Sequence, residues 1–122
     1  MTREDKQLLL KDLGARLLDG VKVLDLITDT VKDVIGLDIT SNYIAVKSSE
    51  VLYTVFFDDV KPYLRPMSSM TEEERKEYGL ILCDELSINQ FDWLNANHFD
   101  YHGLIEKGLA LEVTEENNPY KA

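Results

Sequence analysis

The chain has 122 residues, 44% of them apolar, with 13 Lys plus Arg against 23 Asp plus Glu and a formal net charge of −10. That is room for one domain with a real core and too regular an apolar pattern for a disordered chain. It is also too acidic for bare nucleic acid or an anionic membrane surface, both of which select for Lys and Arg.

Thr2 followed by Asp5 is a capping pattern, and Glu4 and Asp5 suit the positive end of a helix dipole. Leu9, Leu10, Leu13 and Leu17 then recur at helical spacing. Lys6, Lys11, Asp12 and Arg16 fall on the opposite, polar side, and Gly20 ends the helix. From Val21 the period changes to two. A first strand runs from Val21 to Ile27, with Thr28-Asp29-Thr30 as turn chemistry. Ile35, Leu37 and Ile39 alternate as a half-buried strand, Ser41-Asn42 turns the chain into Tyr43–Lys47, and Ser48-Ser49-Glu50 turns it again. Val51–Phe57 is the strongest strand signal, rich in β-branched and aromatic residues. Short strands on short loops predict an antiparallel meander, and strong twist could curl it into a partly open, SH3-like barrel.

Lys61-Pro62-Tyr63-Leu64-Arg65-Pro66 closes the β region. Its two prolines predict an extended edge, so Lys61, Tyr63 and Arg65 become candidate partner-binding residues. Thr71 and Glu74 form a capping box for a second helix, with Tyr78, Ile81, Leu82 and Leu86 as its buried face. Ser87 with Gln90 predicts a third helix whose Ile88, Phe91, Leu94 and Trp93 face inward. A short helix over Leu104–Lys107, stopped by Gly108, leads to a last strand in Leu109–Val113, and the polar tail from Glu115 is expected to fray. The fold class expected is a single α+β domain over 1–122: an N-terminal helix, an antiparallel meander of four to five strands and a helical C-terminal part.

The charge is uneven. Residues 1–70 hold 11 acids and 9 bases, whereas residues 71–122 hold 12 acids and 4 bases. Glu73, Glu77 and Asp84 therefore stand as candidate contacts for a basic partner, beside the plainer role of a solvated helix surface.

Chemistry-bearing residues are few. His98, Asp100 and His102 cluster, and on a helix the two histidines would share a face and could share a metal. The neighbouring Asn95, Asn97 and Gly103 favour a loop instead, with Asp100 capping the last helix. Cys83 is the only cysteine, has no cationic neighbour to activate it, and reads as a small core residue. No nucleophile elbow, phosphate loop or dinucleotide fingerprint is present, so no catalytic residue and no cofactor is assigned.

Thr2-Arg3, Lys11-Asp12-Leu13, the string Lys61–Glu74, Asn97–Tyr101 and Gly103–Ala110 together resemble an uncharacterised group of short acidic proteins. That group is encoded in gut Bacteroides and relatives and in their phages or mobile elements. The resemblance implies a bacterial cytosol and an accessory gene, and brings with it no catalytic residue, substrate or cofactor. The expected function is non-catalytic binding of a protein partner. The rival is a small metal-binding protein or enzyme centred on His98, Asp100 and His102, and a homodimer through an exposed sheet edge is a third reading.

Overall fold

The computed structural model describes residues 1–38 and 40–121. Helix α1 spans Arg3–Arg16, capped by Thr2, whose hydroxyl accepts from the Asp5 N–H at 3.0 Å. A single 3-10 turn, Leu17–Asp19, follows it and ends at Gly20, whose φ of 76° is open to glycine without strain.

The meander comprises β1 (Lys22–Asp25), β2 (Thr30–Asp38), β3 (Tyr43–Ser48) and β4 (Val51–Phe56), each antiparallel to the next. β1 stops two residues before the expected Ile27. The Asp25 carboxylate accepts from the Ile27 and Thr28 N–H groups and turns the chain there. β2 begins earlier than its alternation suggests and carries a bulge between Val34 and Gly36. The expected inward position Ile39 lies outside the described residues, as does Ala122 of the tail.

β5 (Val60–Pro66) corrects the expectation of an edge strand. It lies inside the sheet, antiparallel to β1 over Val60–Pro62 and parallel to two short strands, β6 (Phe99–Asp100) and β7 (Leu111–Glu112), from Tyr63 onward. Proline harms a ladder only where an N–H is required. Pro62 sits where pairing with β1 ends and pairing on the opposite flank begins. Among the described residues the sheet runs β4-β3-β2-β1-β5-β6 and does not close, so β4 is a terminal strand.

Helix α2 (Glu72–Leu82) carries the full Thr71–Glu74 capping box. Helix α3 (Gln90–Ala96) is capped by Asn89 rather than Ser87, since the Asn89 side chain accepts from the Phe91 and Asp92 N–H groups. This later start turns Ile88 and Phe91 outward and Trp93, Leu94 and Asn95 inward. Leu104–Gly108 is a turn and not a helix, although Asp100 does cap it, accepting from the Leu104 and Ile105 N–H groups at 2.9 and 3.0 Å.

Two apolar clusters form the core. Leu9 and Leu13 of α1 pack on Val21, Val23, Val34, Ile44, Val46, Val60 and Leu64 of the sheet. Met70, Ile81, Trp93, Leu94 and Phe99 form the second cluster between the helices and β6. The tail does not fray. The Tyr120 hydroxyl donates to the Tyr63 carbonyl at 2.7 Å and accepts from the Lys22 N–H at 3.0 Å, tying the C-terminal segment to β1 and β5. Among the described residues no helix is long and apolar enough to cross a membrane.

Candidate functional site

The largest departure from the sequence pattern is on α1. Asp12 and Arg16, expected on its polar side, are both fully buried. They sit one turn apart under the segment 98–102, so the helix face that would meet water is covered by the C-terminal half. Arg16 Nε and Nη2 donate to the Asp12 carboxylate at 2.8 and 3.1 Å, and Nη2 also donates to the Phe99 carbonyl at 2.5 Å. The guanidinium lies 5.0 Å from the Tyr101 ring centre. His102 Nδ1 meets Asp12 Oδ1, the oxygen that also accepts from Arg16 Nη2, at 2.8 Å. Burying two charges is tolerable only because each is paired and hydrogen-bonded. The i, i+4 spacing of Asp12 and Arg16 was the available signal, but it marks a surface pair equally well.

The three residues singled out by sequence do not converge. His98 stacks on Tyr120 with ring centres 3.5 Å apart, Asp100 spends both oxygens on backbone N–H groups, and His102 is held by Asp12. Burial, reinforced by the charges of Arg16, Arg65 and Lys22, lowers the His98 pKa to about 4, so its ring is neutral near pH 7. Burial likewise pushes the Tyr120 phenol up to about 12. Among the described residues no group of three His, Cys, Asp or Glu side chains is placed to hold a metal ion. His102 lines a small cavity of about 260 Å³ with Lys11, Ala15, Phe91 and Tyr101.

The acidic candidates also divide. Glu73 and Asp84 are exposed on and just after α2, whereas Glu77 accepts from the Trp93 indole N–H at 3.0 Å and so joins α2 to α3. Glu74, hydrogen-bonded by Arg65 at 2.7 and 2.8 Å, has its pKa lowered to about 2. Arg65 is therefore committed within the chain, and Tyr63 is 3% exposed in a central strand. Lys61 is half-buried on the same strand. Cys83, expected in the core, is exposed: it is the C-cap of α2, and the chain turns outward at Asp84 with φ of 62°.

The surface that sequence reasoning undervalued is β4. Val51, Leu52, Tyr53 and Phe56 are 44 to 64% exposed, on a strand with no charged residue, no proline and no bulge. Natural sheets blunt such edges with Lys, Pro or bulges, and β4 has none of these devices. The direction of its free groups follows from the ladder. The Phe57 N–H donates to the Asn42 carbonyl at 3.3 Å, one pair beyond the Tyr43–Phe56 register. Bonded and non-bonded pairs alternate in an antiparallel ladder, so Val51, Tyr53 and Val55 bond to β3. The N–H and C=O groups of Leu52, Thr54 and Phe56 consequently point away from β3, to the open edge. Their side chains share the outer face with Tyr43, whose ring stacks on Phe56 at 4.6 Å. On the other face, Tyr53 is held by the Lys32 ammonium 4.5 Å from its ring centre, and Lys32 is itself ion-paired with buried Asp25 at 2.6 Å. Burial would raise the Asp25 pKa, but hydrogen bonds from Lys32, Ile27 and Thr28 outweigh it and the net direction is down. β4 is thus a fixed strand with an open, apolar edge.

Comparison with protein-family models, with curated proteins and with solved structures finds no match.

Proposed function

We propose that the chain is a non-catalytic, cytoplasmic protein-binding accessory protein, and that its partner adds a strand to β4. The observation that carries this reading is the uncharged, six-residue terminal strand with free backbone groups at Leu52, Thr54 and Phe56 and apolar side chains on both faces. Strand addition draws affinity from main-chain hydrogen bonds and specificity from alternate side chains, and β4 offers both. The polar cluster at Asp12, Arg16 and His102 supports a structural role by comparison, because each of the three side chains bonds within the fold and, of their buried polar atoms, only Arg16 Nη1 lacks a partner among the described residues.

Thr54→Pro tests the reading. It removes an N–H that faces the open edge and leaves the bonds to β3 in place. Protein retained from cell extract by the immobilised wild-type chain is expected to fall at least tenfold on Thr54→Pro, with the urea midpoint changed little. Equal retention by both chains would overturn it.

A further inference from the structure

We infer that the strand added to β4 is the β4 of a second copy, antiparallel and related by a twofold axis through Thr54. This rests on the reading of β4 as a docking edge and names its occupant. Three features of the strand make it self-complementary.

The first is hydrogen-bond phase. The outward-facing residues are Leu52, Thr54 and Phe56, placed symmetrically about Thr54. A twofold axis there sets Leu52 opposite Phe56 of the second copy, Thr54 opposite Thr54, and Phe56 opposite Leu52. Every outward N–H and C=O of both strands then finds a partner within the ladder. The neighbouring register, centred on Tyr53, instead sets Phe56 against Glu50, which lies in the turn before the strand.

The second is charge. A chain of net charge −10 repels its own copy, and a twofold contact brings like groups together. Val51–Phe56 is a six-residue strand with no charge to oppose its own image. The same register brings Glu50 of one copy nearest Asp58 of the other, both beyond the ladder, and Asp58 there lies in the 3-10 turn Phe57–Asp59, 3.9 Å from the Lys6 ammonium.

The third is side-chain fit. On the outer face the pairing lays Leu52 of each copy against the Tyr43–Phe56 stack of the other, and on the inner face it sets Tyr53 opposite Val55. Aromatic–aliphatic cross-strand pairs of this kind are favourable. The four exposed apolar side chains offer roughly 400 Å² per copy, so strand pairing covers roughly 800 Å² in all, less than a permanent interface needs. The dimer is therefore reversible and forms with rising concentration.

Sedimentation equilibrium between about 1 and 500 μM reads this directly. The wild-type mass is expected to rise from 14.0 kDa toward twice that value. Thr54→Lys and Thr54→Glu each place like charges opposite one another at the axis. Each variant alone is expected to weaken the dimer at least 30-fold, and an equimolar mixture to restore it. Because Thr54 is exposed, both variants keep the fold, which their far-UV spectra check. In Thr54→Cys on a Cys83→Ser background, oxidation is expected to crosslink the two copies at position 54. A chain that stays monomeric throughout, or a dimer that neither charge variant weakens, overturns the inference. A monomer whose captured proteins are still lost on Thr54→Pro would remove the second copy as occupant and leave the docking edge standing.

Discussion

Replacing Arg16 by Met strips the buried Asp12 carboxylate of two of its hydrogen bonds and of its countercharge, leaving only His102 Nδ1 at 2.8 Å. It also frees the Phe99 carbonyl. Orphaning one member of a buried ion pair costs about 3–5 kcal/mol, set against a total stability of roughly 10 kcal/mol for a chain of this length. With a urea m-value of about 2 kcal/mol/M, the midpoint should fall by about 2 M. Trp93, the only tryptophan, is 7% exposed and stacks on Tyr78 and Phe99, so its fluorescence reports the unfolding of the half that covers Arg16. The double variant Asp12→Leu/Arg16→Met leaves no orphaned charge, and its loss should be smaller than that of Arg16→Met alone. A loss under about 1 kcal/mol for Arg16→Met, or a double variant as damaged as the sum of the singles, would refute a tightly coupled buried pair.

Three other outcomes follow from the same region. His98 has a folded pKa of about 4 against an ordinary value of 6.5, so protonation is penalised only in the folded state. Its contribution is complete above pH 6.5 and is lost as pH falls from 6.5 through 4, by about 3 kcal/mol at full value and about 2 kcal/mol after solvent screening. His98→Asn, which tolerates the local φ of 62°, should flatten that part of the urea-stability profile; an unchanged slope would assign it to other groups. Tyr120→Phe removes the hydroxyl bonds to Tyr63 and Lys22 and should cost about 1–2 kcal/mol in the same assay; no change would mean that the tail is not anchored. Added zinc should leave the ring resonances of His98 and His102 in place, because Tyr120 and Asp12 hold them apart, and a stoichiometric shift of both would restore the metal reading.

The local signals in the sequence were accurate where one side chain decides the structure. Thr2, Gly20, the Thr71–Glu74 box and Asp100 each cap or stop the chain where their chemistry requires. The α+β class and the antiparallel meander were legible for the same reason, since period and turn chemistry agree along 21–57. What was not legible depends on residues far apart. Asp12 and Arg16 are polar by type, and only the arrival of 98–102 makes that face of α1 interior. Pro62 and Pro66 argue for an edge until two short parallel strands, themselves invisible to periodicity, pair with β5, β7 on the flank away from β1 and β6 beyond the end of β1. Val51–Phe56 reads as the best strand in the chain, yet its neighbours are all on one flank, so the residues expected to pack best are the ones left open. Tyr120 likewise looks like a tail residue until its hydroxyl meets β1 and β5.

Amide hydrogen exchange along β4 tests the docking edge most directly. The Val51, Tyr53 and Val55 amides bond to β3, whereas those of Leu52, Thr54 and Phe56 face the open edge. In dilute protein the outward three should exchange fast and the inward three slowly. As the concentration rises through the dimer range, protection of Leu52, Thr54 and Phe56 should grow by tenfold or more, with the inward amides little changed. Rapid exchange of the outward amides at every concentration would contradict pairing of β4 with a second copy.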